Sequence, residues 1–235
     1  MLNNSGAEAI IDQCLFSGNW SPTNGGGLAS SGETSVTTTT FSDNNATNGG
    51  GIAVIGDELE LFHATVTQNN SGLKVFSGSV DLYQNIIAQN INYDIISSGS
   101  TTAFGYNLFG NNTNSGVTTA FGDIVGTSAS PVDALLDVLQ DNGGPTHTHG
   151  LLACSPAIDA ADPYSEYFYD QRGFDRFQDG NGNGVFDNDI GAFEAATGSI
   201  TGQTPNAVCQ DATVYLDTNG VASITSSDVD GGTTT

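Results

Sequence analysis

The sequence predicts an all-β chain wound as a right-handed parallel β-helix, with a C-terminal cap and a truncated β-sandwich stub after it. Three observations predict this. Two independent motifs recur with one shared period of 21–25 residues. Short runs of β-branched and alternating residues lie between them, and the repeats show no helical period. Gly, at 31 of 235 residues, is about twice its usual ~7% share, which disfavours long helices.

The first motif is Phe16-Ser17-Gly18-Asn19. It returns as Phe41-Ser42-Asp43-Asn44, Val66-Thr67-Gln68-Asn69 and Ile87-Ala88-Gln89-Asn90, so its Asn positions are spaced by 25, 25 and 21. The second is Gly25-Gly26-Gly27-Leu28, which returns as Gly49-Gly50-Gly51-Ile52 and Ser71-Gly72-Leu73, spaced by 24 and 21 at the apolar residue. Between them lie Ala9–Ile11, Ser35–Thr38, Leu59–Phe62 and Ser79–Leu82, each with the period-two alternation of a half-buried strand. A unit of this length with short strands and Gly/Asn turns is one coil of a β-helix. A leucine-rich repeat would need a Leu-x-x-Leu-x-Leu core, which the coils lack.

Stacked coils place each residue over its equivalent, one strand spacing away. Phe16, Phe41, Val66 and Ile87 are therefore expected as an inward apolar stack, and Asn19, Asn44, Asn69 and Asn90 as an amide ladder. Asn tolerates the left-handed conformation of a tight corner, and the Gly triplets suit a corner without room for Cβ. The right hand follows from the rule for parallel crossovers.

Residues 1–110 are expected to form the coils. The rhythm then loosens, so 111–196 is read as the last coils and a cap over the open end of the solenoid. Within it, 131–139 is the one segment whose apolar run suits a helix or a packed strand. Residues 197–205 read as a linker. Residues 206–235 read as a truncated β-sandwich module, from two alternating runs around Asp217-Thr218-Asn219-Gly220.

The charge balance restricts the partners. There are 26 Asp and Glu but only Lys74, Arg172 and Arg176 as bases, a net charge of −23. No basic patch can form, so nucleic-acid binding and attraction to an anionic membrane are excluded. No run approaches the ~20 apolar residues of a membrane span. Cys14, Cys154 and Cys209 are too few and too scattered for a disulfide scaffold. Met1-Leu2-Asn3-Asn4 is not a signal peptide, and the chain reads as an internal, monomeric piece of a longer polypeptide.

The paired Gly-Gly-apolar and Phe-x-x-Asn motifs resemble the polymorphic outer-membrane protein repeats. The following region resembles the bacterial choice-of-anchor Q domain, a pectin-lyase-like β-helix. It does so through Phe104–Leu108, Asp141–His149, Ser155–Ala160, Asp170-Gln171-Arg172-Gly173 and Asp189-Ile190-Gly191-Ala192-Phe193-Glu194. The stub after residue 204 resembles the first strands of a hyalin-type or immunoglobulin-like adhesin module. These resemblances imply an exported protein held at the cell surface.

One segment carries a metal-type pattern. Asp179, Asn181 and Asn183 at positions 1, 3 and 5, Gly184 at 6 and the Val185 carbonyl at 7 follow the EF-type calcium loop, with Asp187 or Asp189 to complete the shell. Position 12 is Ile190 instead of Glu, so any Ca²⁺ would be held weakly, with a Kd of about 10⁻⁴–10⁻³ M. Arg172, just before the loop, is expected to hold Asp189 or Glu194 in a bidentate pair. His147 and His149 could seed a metal site but have no further ligand placed by spacing, so a turn role is the stronger reading.

The functional expectation is a non-catalytic extracellular stalk or adhesin segment, calcium-stabilised, with a carbohydrate or another host or cell-surface ligand as partner. The alternative is a polysaccharide hydrolase using coil carboxylates such as Glu58 and Glu60, which would share one face. A lyase would need a base and cations near the uronate, and Lys74 is the only basic residue in the coils.

Overall fold

The computed structural model describes residues 1–196, and every regular element among them is a strand. The expected linker and β-sandwich stub lie outside the described residues. Sheet A stacks Leu2–Asn3, Leu28–Ser30, Ile52–Val54, Leu73–Val75 and Ile95–Ser97. Sheet B stacks Glu8–Asp12, Glu33–Thr37, Glu58–Phe62, Ser79–Tyr83 and Ser100–Ala103. Sheet C stacks Leu15–Ser17, Thr40–Ser42, Thr65–Thr67, Ile86–Ala88, Leu108–Phe109 and Ile124–Val125. The chain visits A, B and C in turn, always pairing in parallel, and so forms a β-solenoid.

Vertical registry is that of the repeat. Phe16 pairs with Phe41, Phe41 with Val66, Val66 with Ile87 and Ile87 with Phe109. The Phe16 and Phe41 rings stack at 4.9 Å, nearly parallel. With Leu28, Ile52, Leu73 and Ile95 from sheet A and Val36, Leu61 and Leu82 from sheet B, these side chains fill one continuous core. On sheet B the outward residues between them stay half-exposed or exposed, as in Glu58-Leu59-Glu60-Leu61-Phe62, where only the two leucines are buried.

The corner between sheets C and A carries the amide ladder. Asn44 takes both the backbone N–H and the Nδ2 of Asn19 on its Oδ1. Asn69 does the same for Asn44, and Asn90 for Asn69, all at 2.9–3.1 Å. The chain of donors ends on Asp94, whose Oδ1 accepts from Asn90 N and Nδ2. A carboxylate fits there because the last rung has only to accept.

A second ladder, which the repeat analysis missed, lies at the corner between sheets B and C. Asn85 accepts from Ala64 N and donates to Asn107, and Asn107 donates to Asp123. It too ends on an aspartate. Its signal was legible in the 22-residue spacing of Asn85 and Asn107, but Thr39 and Ala64 fill the earlier equivalent positions and break the motif.

The Gly triplets are required by contact. Gly25 has φ +59°, and a Cβ on Gly26 would stand 2.5 Å from the carbonyl oxygen of Gly50 in the next coil. Where the third repeat has Ser71-Gly72, the Ser71 hydroxyl accepts from Gly50 N, and the period shortens from 24 to 21 residues.

Residues 127–196 are placed differently from the cap expected over the open end. They fold back along the outer face of sheet C and reach the first coils, where Gln13 Nε2 donates to the Asp170 carbonyl and Thr40 Oγ1 to Gln171 Oε1. The reason is the composition of that face. Ile86, Ala88 and Leu108 point outward from sheet C and need cover, which Ala134, Leu151, Ala157, Ile158, Ala161 and Ile190 supply. The apolar run at 131–139 ends in a strand, Leu136–Gln140, antiparallel to Thr148–Leu151.

Candidate functional surfaces

The outer face of sheet B is the first candidate. Glu8 lies opposite Glu33 in register, and Glu58, one residue before the Thr34–Leu59 pair, continues that column. Glu60 pairs with Asp81 in the next column. Glu58 and Glu60 thus share a face as expected, among carboxylates about one ~4.8 Å strand spacing apart. Beside them Phe62, Tyr83 and Phe104 stack at centroid distances of 4.4 and 4.5 Å, and Tyr167 tilts onto Phe62 at 5.2 Å. Burial by these neighbours raises the Asp81 carboxyl and the Tyr83 hydroxyl above their ordinary pKa values. Asp94 and Asp43 lie away from this face, the first at the end of a ladder and the second at a coil corner with φ +61°.

The second candidate is a buried polar cluster between the returning segment and sheet C. Arg172 does not reach the Asp189 or Glu194 carboxylates as expected. It forms an ion pair with Asp170 at 2.6 Å, donates to the Glu194 carbonyl, and lies over the Phe193 ring at 3.7 Å. Arg176 takes the expected place, 3.4 Å from Glu194 Oε2, and donates to the Gly191 and Asp189 carbonyls. The motif Asp170-Gln171-Arg172-Gly173 makes a tight turn. Asp170 accepts from Arg172 N and Phe174 N, and this aims the first guanidinium back along the chain and away from Asp189.

Two guanidiniums and the three carboxylates of Asp170, Asp189 and Glu194 carry a net −1, and all of these residues but Arg172 are buried. Burial outweighs the backbone N–H groups that both acids accept. It pushes Asp189 up to about 7, and burial with the neighbouring Asp189 charge pushes Glu194 up to about 8. His63 is fully buried beside it, with Nε2 on Ser165 Oγ at 3.0 Å and Nδ1 without a hydrogen-bond partner. Desolvation first, then the Arg176 charge, hold its pKa well below the usual imidazole range.

The two histidines read as a possible metal pair separate. His147 is exposed, whereas His149 is buried between Ser42 Oγ at 2.8 Å and the Asp137 carbonyl at 2.7 Å. Burial lowers its pKa. His149 therefore fixes the returning segment to sheet C.

The 179–189 loop forms a tight turn. Asp179 accepts from Asn183 N and Gly184 N, Asn181 Oδ1 from Asn183 N, and Asn183 Oδ1 from Val185 N. Val185 is exposed, and Asp187 N bonds the Gln178 carbonyl. Asp189 faces elsewhere, with one oxygen on Asp159 N and the other on Ala195 N. Asp159, which the pattern did not single out, lies against the loop and accepts from Gly180 N and Asn181 N. Among the described residues no three His, Cys, Asp or Glu side chains converge as a metal centre. No helix among them is long and apolar enough to cross a membrane.

Comparison with known proteins agrees with the coil geometry. The family model of the Chlamydia polymorphic membrane protein repeat matches residues 13–31, the stretch holding both Phe16-Ser17-Gly18-Asn19 and the first Gly triplet. No curated protein matches, and no solved structure does. The described residues are built on a parallel β-solenoid, which fits a surface-exposed β-helix protein, and residues 13–31 are similar to the polymorphic membrane protein repeat.

Proposed function

We propose that this chain is an extracellular stalk segment of a cell-surface protein, an adhesin whose partner is carbohydrate. The observation that carries the reading is the self-satisfied solenoid. Two amide ladders run up its corners, and the one outer sheet face with a strong apolar character, sheet C, is covered by the chain's own return. Such a rod is stiff along its axis and leaves its other faces and turns for contact. The scarcity of bases steers the reading toward uncharged ligands, because anionic ones would be repelled.

Within the same reading, a weakly held calcium ion stiffens the 179–187 loop through Asp179, Asn181, Asn183, the Val185 carbonyl and Asp187. The turn that gathers the first three side-chain oxygens supports it. Asp189 faces Asp159 N and Ala195 N instead of this turn, so Asp187 is the acid left to complete the shell. The hydrolase alternative places its chemistry on the Glu58 and Glu60 face. Glycan-array binding and a reducing-sugar release assay on one preparation test both. Glycan capture without sugar release is the result expected, and release of reducing ends abolished by Glu58→Gln would replace the adhesin with the enzyme.

A further inference from the structure

We infer that a cleft of about 460 Å³, where the chain leaves the last coils, is the seat of an uncharged, hydroxyl-rich sugar; this rests on the carbohydrate reading above and gives it an address. Three segments converge there: the corner loop 89–94, Gly110-Asn111, and Pro131-Val132-Asp133 at the start of the returning segment. The volume falls in the roughly 300–1,000 Å³ range of small-molecule sites.

The lining selects the ligand. Asp94 is 5% exposed and forms the floor, holding Asn90 with one oxygen. Gly110 lets the backbone pass close to this carboxylate, since a Cβ there would stand 2.7 Å from Asp94 Oδ2, and the Asn111 backbone N–H also donates to it, leaving it only its remaining acceptor capacity. On the wall, Gln89 Nε2 donates to Asp133 Oδ1 at 2.7 Å, and that pair uses neither Gln89 Oε1 nor Asp133 Oδ2. Asn111 spends its Oδ1 on Thr113 N, and Asn92 its Nδ2 on the Asn70 carbonyl. The unspent groups are thus mostly acceptors, with the Asn111 amide as donor, and no guanidinium or ammonium lines the site. A ligand must bring several donors and no negative charge. Vicinal hydroxyls do this, each giving a proton to a carboxylate or amide oxygen while taking one from an amide.

Ile91, 77% exposed, with Pro131 and Val132, offers an apolar surface for the C–H face of a pyranose. The aromatic column of sheet B is a poorer platform, because Phe62, Tyr83 and Phe104 spend their ring faces on one another.

The test uses the whole chain. Uncharged glycans and uronate- or sulfate-bearing ones are arrayed together, and the best ligand is carried to titration calorimetry. Asn92→Trp fills the cleft from an exposed position, and Asp133→Ala removes its wall acceptor. Glu33→Gln, on the far sheet B face, is the control. Circular dichroism melts confirm that each variant is folded. The expected result is capture of uncharged glycans, at least tenfold weaker binding by both cleft variants, and the control within twofold of the parent. Capture with both cleft variants within twofold of the parent overturns the site and leaves the adhesin reading standing. Capture of anionic glycans alone overturns the inferred ligand class. An array without any bound glycan overturns both readings.

Discussion

Asn69 offers the sharpest test of the ladder, because its polarity can be reversed without changing its shape. The Asn69 side chain is fully buried. Its Nδ2 donates to the Phe41 and Thr67 carbonyls and to Asn90 Oδ1, each at 3.0 Å, while its Oδ1 accepts from Asn44 N and Nδ2. Asn69→Asp keeps the acceptor and converts the donor into a second acceptor facing three oxygens. The two N–H donors of that amide, shared among the three oxygens, are lost at roughly 0.5–1.5 kcal/mol each, about 1–3 kcal/mol, and the unpaired buried charge adds to that. Asp94→Asn is the mirror experiment. Its side chain still accepts from Asn90 and gives up only the bond from Asn111 N, so the loss is about 1 kcal/mol. Equilibrium denaturation in urea followed by circular dichroism measures both. If Asn69→Asp unfolds within about 1 kcal/mol of the parent, the directional ladder is refuted, whatever Asp94→Asn does.

Three further outcomes follow from the same contacts. Asp189 and Glu194 bind a proton more tightly folded than unfolded, so their stabilising contribution is complete below about pH 4 and is lost as the pH rises through 7 to 8. The lowered His63 and His149 act oppositely, losing stability as the pH falls below the ~6.5 of a free imidazole. Between pH 6.5 and 8.5 the acid pair is opposed by the Met1 α-amino group, whose pKa partial burial lowers from its ordinary value near 8. One proton leaving a site of pKa about 8 costs about 2 kcal/mol, or ~4–8 °C in Tm, which scanning calorimetry reads and Glu194→Gln flattens. Gly26→Ala forces its methyl toward the Gly50 carbonyl and lowers the urea midpoint, whereas Gly182→Ala, with no atom within 4 Å of the added Cβ, is limited to the backbone cost of its φ of +75°. His149→Leu strips the hydrogen bonds to Ser42 and Asp137 and speeds limited proteolysis within 127–196 before the coils are cut, as gel electrophoresis of the digest shows.

The repeating half of the molecule was readable as a string because a solenoid turns long-range contacts into a period. Phe16, Phe41, Val66 and Ile87 touch because they are one coil apart, and Asn19, Asn44, Asn69 and Asn90 bond for the same reason. Spacing therefore determined the parallel strands, the inward stack, the first ladder and the Gly corners. The second ladder escaped because Thr39 and Ala64 serve the same corner without an amide side chain, and only backbone coordinates reveal that equivalence.

Beyond residue 126 no period links partners, and there the tertiary structure decided. It laid the returning segment along sheet C instead of over the open end, because Ile86, Ala88 and Leu108 left that face in need of cover. It gave Arg176 the place near Glu194 expected of Arg172, and turned Asp189 from the calcium-type loop toward Asp159 N and Ala195 N. Asp159 meets the amides of Gly180 and Asn181 across 21 residues or more, and Glu194 reaches Arg176 and Gln178 across 18 and 16, in contacts set by the packing of two surfaces. A motif states which atoms a residue can offer; the direction in which they point is settled only when the rest of the chain has been packed around them.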